Sequence, residues 1–191
     1  MANNNKEIEI KIPVDNKTFS RVKERLSTLA KFEKKSNQTD SYFTPCHRNF
    51  VEPKFPFEWL SIRSRGGKNI ICYKHYYPEN AETNTHCDEF ETEIVSKDQI
   101  EKIFSVLNFK KMVTVEKERE TYLFKDEFEI ELDDVKELGC FIEIEAVKDF
   151  GSVEETRDKL FQFAKKLNVD ASKADKRGYP YLMMKKKGLI K

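Results

Sequence analysis

Residues 7 to 12 read Glu7-Ile8-Glu9-Ile10-Lys11-Ile12. Successive side chains on a strand point to opposite faces, so this segment has one face of isoleucine and one of charge. Paired carboxylates on one face suit a hard divalent cation, and a lysine beside them suits an anion. The pattern recurs. Glu89, Glu91 and Glu93 alternate with Phe90, Thr92 and Ile94, and Glu129, Glu131 and Asp133 alternate with Ile130 and Leu132. Glu143 and Glu145 oppose Ile142 and Ile144. Other segments carry the opposite sign: Arg63 and Arg65, Lys74, and Lys117 with Arg119.

An antiparallel sheet with one wet face explains any one of these strands. It does not explain their segregation by sign, because like charges side by side on a wet face repel. A sheet curled into a barrel does, with the apolar side outward under helices and the charged side lining a lumen. Charges enclosed there need partners. A divalent cation with a polyphosphate supplies both signs at once: carboxylates hold the metal, and arginine and lysine neutralise phosphate oxygens.

The remaining sequence must position these strands. The chain has 191 residues, enough for one domain, and Lys+Arg 35 against Asp+Glu 34 leaves a net charge of +1. That balance argues against a general binder of nucleic-acid polymers. No apolar run is long enough for a membrane-spanning helix, and "MANNNKEIEI" lacks the blocks of a signal peptide, so a cytoplasmic protein with no membrane partner is expected. Cys46, Cys72, Cys87 and Cys140 show no CxxC spacing and read as thiols; with His75 and His86 they make a poor zinc set.

Helical spacing predicts helices over 16–32, 96–109 and 151–167, with Ser96 as an N-cap and Ser152 with Glu155 as a capping box. Each follows an acidic strand and precedes a polar stretch ending in an aromatic. This weak threefold echo fits either repeated construction or the limited menu of small α+β domains. Segment 44–59 reads as a proline-rich aromatic loop, 78–88 as the most mobile part, and the Lys-rich end 185–191 as a solvated tail.

Taken together, these pieces resemble the CYTH, or triphosphate tunnel metalloenzyme, superfamily. Glu7-x-Glu9-x-Lys11 is its ExExK strand. "QTDSYF" (38–43), "LSIRSRGGKNIICYK" (60–74), "FETEI" (90–94), "VEKERETY" (115–122) and "LDDVKELGCFIEIE" (132–145) follow in family order over nearly the whole chain. The resemblance implies an α+β fold: an antiparallel eight-stranded closed tunnel with a charged lumen, helices outside, and a single domain over 1–191. It assigns Glu7, Glu9, Asp133 and Glu143 to Mg²⁺ or Mn²⁺ and to catalysis. It assigns Lys11, Arg63, Arg65, Lys74, Lys117 and Arg119 to the triphosphate, with Glu91, Glu93, Glu131 and Glu145 as further lumen residues. The sequence departs from the pattern in three places. Ser61 replaces the first Arg of L-R-I-R, with Arg65 as the substitute on the same face. The Arg that commonly precedes the central acidic strand is absent. In "RGYPYLMM" (177–184), Pro180 is expected to shorten or redirect a terminal helix.

Two reactions fit such a site. A class IV adenylyl cyclase converts ATP to cyclic AMP and pyrophosphate. A triphosphatase hydrolyses tripolyphosphate, thiamine triphosphate or a nucleotide. "YFTPCHRNF" (42–50) resembles a stretch of the cyclase-like branch and favours the first, with His47 and Arg48 as candidate nucleotide contacts. A non-catalytic polyphosphate-binding module is the third reading. Base preference, the choice of metal, and monomer against homodimer stay open.

Overall fold

In the computed structural model, residues 6–174 and 177–190 are described. The first five residues of the expected leaderless N-terminus, Asp175 and Lys176 of the third polar stretch, and Lys191 of the tail lie outside them. The strands are β1 (Lys6–Glu7), β2 (Glu9–Val14), β3 (Lys31–Thr44), β4 (Glu58–Arg65), β5 (Lys68–Tyr77), β6 (His86–Ile94), β7 (Lys110–Phe124), β8 (Phe128–Val135) and β9 (Gly139–Ala146). The helices are α1 (Asn16–Leu29), α2 (Lys97–Val106), α3 (Val153–Lys166) and α4 (Gly178–Lys186), with a 3₁₀ turn at Ala171–Lys173.

All nine strands lie in one sheet, ordered β1-β6-β5-β4-β3-β7-β8-β9-β2. The expected eight strands become nine because the first is interrupted at Ile8. The two ends of the strand order are therefore the two halves of that one interrupted segment.

The contacts divide the chain into two compact units. One holds Lys6, residues 37–116 and 177–190; the other holds 7–36 and 117–174. In the second, the apolar faces of β2, β7, β8 and β9 present Ile10, Ile12, Tyr122, Ile130, Leu132, Ile142 and Ile144 to Val22 and Leu26 of α1 and to Leu160, Phe163 and Ala164 of α3. In the first, Phe104 and Ile100 of α2 pack on Phe43, Leu60, Ile62, Ile71 and Ile94. The apolar side of the strands is taken by α1 and α3 in the second unit and by α2 in the first, and the charged side is left to its own partners. Leu26 is fully buried, and Leu26→Ala is expected to cost about 3 kcal/mol. Calorimetry should show a fall in Tm of about 6–12 °C.

The helix starts follow their caps. Ser96 caps α2, and Ser152 forms the expected capping box with Glu155. Asp15 caps α1 by accepting from the Thr18 amide at 2.6 Å. The expectation for Pro180 is corrected. It occupies the third residue of α4, in the first turn, where a missing N–H has no partner to lose. The helix runs nine residues, with Tyr179, Pro180, Tyr181, Met183 and Met184 buried.

The expected loop at 44–59 is shorter, because β3 includes Thr44 and β4 starts at Glu58. Thr44 Oγ1 accepts from the Phe50 amide and donates to the Arg48 carbonyl. Likewise the expected mobile stretch ends where β6 begins at His86.

Candidate active site

In the second unit, register decides which charges meet. Lys11 of β2 lies opposite Glu143 of β9, Glu143 opposite Glu131 of β8, and Glu131 opposite Thr121 of β7. One row away, Arg119 lies opposite Asp133. Arg119 Nε and Nη2 donate to Asp133 Oδ1 and Oδ2 at 2.6 and 2.5 Å, and Nη2 also reaches Glu143 at 3.1 Å. Arg119 Nη1 pairs with Glu131. Lys117 Nζ donates to Asp133 Oδ2 at 3.1 Å, and Lys11 Nζ lies 3.2 Å from both Glu9 and Glu143. Lys11, Lys117, Arg119, Glu131, Asp133 and Glu143 are all buried.

Burial works against every one of these charges, and the partners decide the outcome. Glu143 is held well below the carboxylate range because Lys11 and Arg119 outweigh its burial. Asp133 is lowered in the same way by Arg119 and Lys117. Glu131 goes the other way: burial, with Glu143 and Asp133 adding to it, outweighs Arg119 and raises it to about 8. One guanidinium charge cannot satisfy three carboxylates, and the bidentate Asp133 takes most of it.

The sign of the resulting pH effect follows. Glu131's folded pKa lies above its unfolded value near 4.5, so its contribution to stability is full below that and fades as pH rises through about 8. Glu131→Gln cannot ionise. In metal-free protein its Tm relative to wild type is expected to rise between pH 5 and pH 9, most steeply below about pH 8. A pH-independent difference in thermal melts would refute this.

On the charged face of these strands the carboxylates (Glu7, Glu9, Glu129, Glu131, Asp133, Glu143 and Glu145) thus outnumber the buried cations Lys11, Lys117 and Arg119. The excess gathers at one end, where one oxygen each of Glu7, Glu9 and Glu145 lies within 4.8 Å of the others. Register explains this, since Glu9 lies opposite Glu145. Three carboxylates are a hard, all-oxygen donor set that fits Mg²⁺ or Mn²⁺. Of the four expected metal ligands, Glu7 and Glu9 are in this group. Asp133 and Glu143 are engaged by Arg119, Lys117 and Lys11, and Glu145 takes a place in the group.

In the first unit, Glu89 is the hub. Its Oε1 lies 2.9 Å from Arg63 Nη1 and 3.6 Å from Lys74 Nζ, and accepts from Cys72 Sγ at 3.0 Å. Burial pushes the Cys72 thiol up to about 12, so it stays a protonated donor. Arg63 also approaches Glu91 at 3.6 Å. Asp40 Oδ2 lies 3.9 Å from Arg63 Nε and 4.0 Å from Arg65 Nη2. Burial disfavours the Arg63 charge, yet the Asp40 and Glu89 carboxylates beside it raise its pKa well above the usual range. Ser61 is buried opposite Tyr42. Glu91 and Glu93 are largely exposed, and Glu93 pairs with the exposed Lys68.

Carrying the family motifs across the sequence missed Glu89 and Asp40. Glu89 shares the alternating face of Glu91 and Glu93, and Asp40 sits within "QTDSYF"; both signals were present. Arg48 has a structural task instead: Nη2 lies 2.8 Å from buried Glu58, and the guanidinium stands over the Phe50 ring.

The sequence that builds this strand order and this pairing of carboxylates with buried cations matches the CYTH domain family over residues 5–179. The chain belongs to that family, and the expected antiparallel α+β fold of the triphosphate tunnel type is the one it has. Members act as adenylyl cyclase-like or triphosphatase enzymes. A Methanocaldococcus jannaschii protein named "Putative adenylate cyclase" is 33% identical over 91% of this chain and 95% of its own length. A solved Pyrococcus horikoshii protein is 30% identical, with TM-score 0.78, covering 94% of this chain and 99% of that one. A Hippeastrum protein described as having a dominant triphosphatase activity shares the fold at 18% identity and TM-score 0.63, over 96% of this chain and 95% of that one. Among the described residues, no helix is long and apolar enough to cross a membrane.

Proposed function

We propose that this chain is a metal-dependent enzyme of the cyclase-like branch that converts ATP to cyclic AMP and pyrophosphate. The observation that carries triphosphate chemistry is the Glu7–Glu9–Glu145 group beside a ladder of buried cations. The relative from M. jannaschii supports the choice of reaction.

In this reading Lys11, Arg63, Arg65, Lys74, Lys117 and Arg119 are the phosphate contacts. Glu7, Glu9 and Glu145 hold Mg²⁺ or Mn²⁺, which when bound neutralises phosphate charge and fixes its geometry. Asp133 and Glu143 aim Arg119, Lys117 and Lys11. The resemblance also gives these two carboxylates a share in the metal, which they can take as phosphate draws the cations away. The ribose 3′-oxygen attacks the α-phosphorus as its proton passes to water, and the bond from the α-phosphorus to the bridging oxygen of the β-phosphate breaks with pyrophosphate leaving in line. Glu91 and Glu93 add exposed negative charge on β6.

One observation favours the triphosphatase as the second reading. Arg48, the candidate nucleotide contact, ties down its own loop through Glu58 and Phe50. A panel of ATP, GTP, thiamine triphosphate and tripolyphosphate with Mg²⁺ or Mn²⁺ decides between them. Cyclic AMP with stoichiometric pyrophosphate supports the first, and orthophosphate alone supports the second. Binding of tripolyphosphate without turnover would leave a binding module and overturn both.

A further inference from the structure

Asp40 has no role in the account above, yet its surroundings are unusual. It is 3% exposed on β3, directly opposite Arg63 on β4, with Arg65 paired one step along opposite Gln38. Its Oδ2 faces both guanidiniums at 3.9 and 4.0 Å, beyond hydrogen-bond distance. Its other oxygen, Oδ1, is buried and has no hydrogen-bond partner among the described residues. Buried acceptors left without a donor are rare and costly, so this one calls for a partner that arrives from outside.

The chemistry of that partner is constrained. Near neutral pH the phosphate chain offers essentially acceptors, and an acceptor cannot satisfy another acceptor. Arg63 and Arg65 suit phosphate oxygens; Asp40 Oδ1 does not. Arg63 Nε and Arg65 Nε are buried donors without hydrogen-bond partners on the same strand pair. The pair of strands therefore offers donors for a phosphate and one acceptor beside them. In a nucleoside triphosphate the group next to the phosphate chain that carries donors is the ribose, through its hydroxyls.

We propose that Asp40 Oδ1 accepts a hydrogen bond from a ribose hydroxyl, making Asp40 a specificity-determining residue that favours nucleoside triphosphates over tripolyphosphate. This rests on the reading of the cluster as a triphosphate site. Ser61 fits the assignment. It places a small hydroxyl, not a further guanidinium, on the neighbouring strand opposite Tyr42. The local charge is thus less suited to phosphate alone.

The test is a cycle between protein and ligand. Wild type, Asp40→Ala and Asp40→Asn are titrated with ATP, 2′,3′-dideoxy-ATP and tripolyphosphate in Mg²⁺, and apparent affinity is read from the rise in melting temperature. Wild type should bind ATP at least about 10-fold more tightly than the dideoxy analogue. Asp40→Ala should lose that discrimination, and Asp40→Asn, which keeps an acceptor, should keep part of it. A residue that only aims Arg63 and Arg65 would weaken all three ligands alike, and that result overturns the proposal. So does a wild type that binds ATP and dideoxy-ATP equally, with the triphosphate reading intact. No response to any of the three ligands would overturn the proposal and the triphosphate reading together.

Discussion

Arg119→Ala is expected to destabilise the metal-free protein by about 3–5 kcal/mol, lowering Tm by roughly 10 °C. The cause is the acidic groups it leaves behind, Asp133 and Glu143 ionised and Glu131 largely protonated at neutral pH. Asp133 loses both arms of its bidentate partner, Glu143 loses one of two cations, and Glu131 loses its pairing entirely. All three are buried, so water cannot replace the guanidinium. Arg119→Lys keeps the charge without the fork and should fall between, because an ammonium cannot reproduce the paired bonds to both oxygens of Asp133. Urea unfolding at neutral pH measures the difference. Alanine and wild type sharing one midpoint would mean that Arg119 does not hold these carboxylates. Turnover should also vanish in Arg119→Ala, but lysine should regain more stability than activity.

Glu9→Ala is expected to abolish metal-dependent turnover, by about 10³-fold or more, while leaving a folded protein. Glu9 lies in the group with Glu7 and Glu145, and opposite Glu145 in register. Removing one of three like charges relieves repulsion in the absence of metal, so the loss should be chemical and not structural. Its bond to Lys11 is replaceable, because Lys11 is also held by Glu143. The direct readout is the rise in Tm on adding Mg²⁺ or Mn²⁺, large in wild type and absent in the variant. Unchanged turnover would remove Glu9 from the metal site.

The strand faces were legible in the sequence because alternation is a local property. Ile10, Ile12, Ile130, Leu132, Ile142 and Ile144 fall in the core, and Lys11, Glu131, Asp133 and Glu143 on the opposite side, as residue spacing requires. Caps were legible for the same reason at Ser96 and Ser152. Partner choice was not, because it depends on register between strands distant in the chain. Nothing near Glu145 in sequence says that it meets Glu9, or that Asp133 is engaged by Arg119. Pro180 misled because its effect depends on its place within the helix, which composition does not give. Arg48 shows the limit of a motif, which records that a residue recurs, not whether it serves a ligand or a loop.

The pairing of β2 with β9 joins the first and last long strands of the second unit, with Glu9 aligned on Glu145. A contact of such sequence separation closes a very large loop, and its entropic cost falls due before the contact returns anything. The Glu7–Glu9–Glu145 group needs that closure, so it is expected to assemble late in folding. A metal held there would act as a latch on the finished molecule and not as a seed for it. Stopped-flow experiments should find refolding at the same rate with or without Mg²⁺, and unfolding slowed by it.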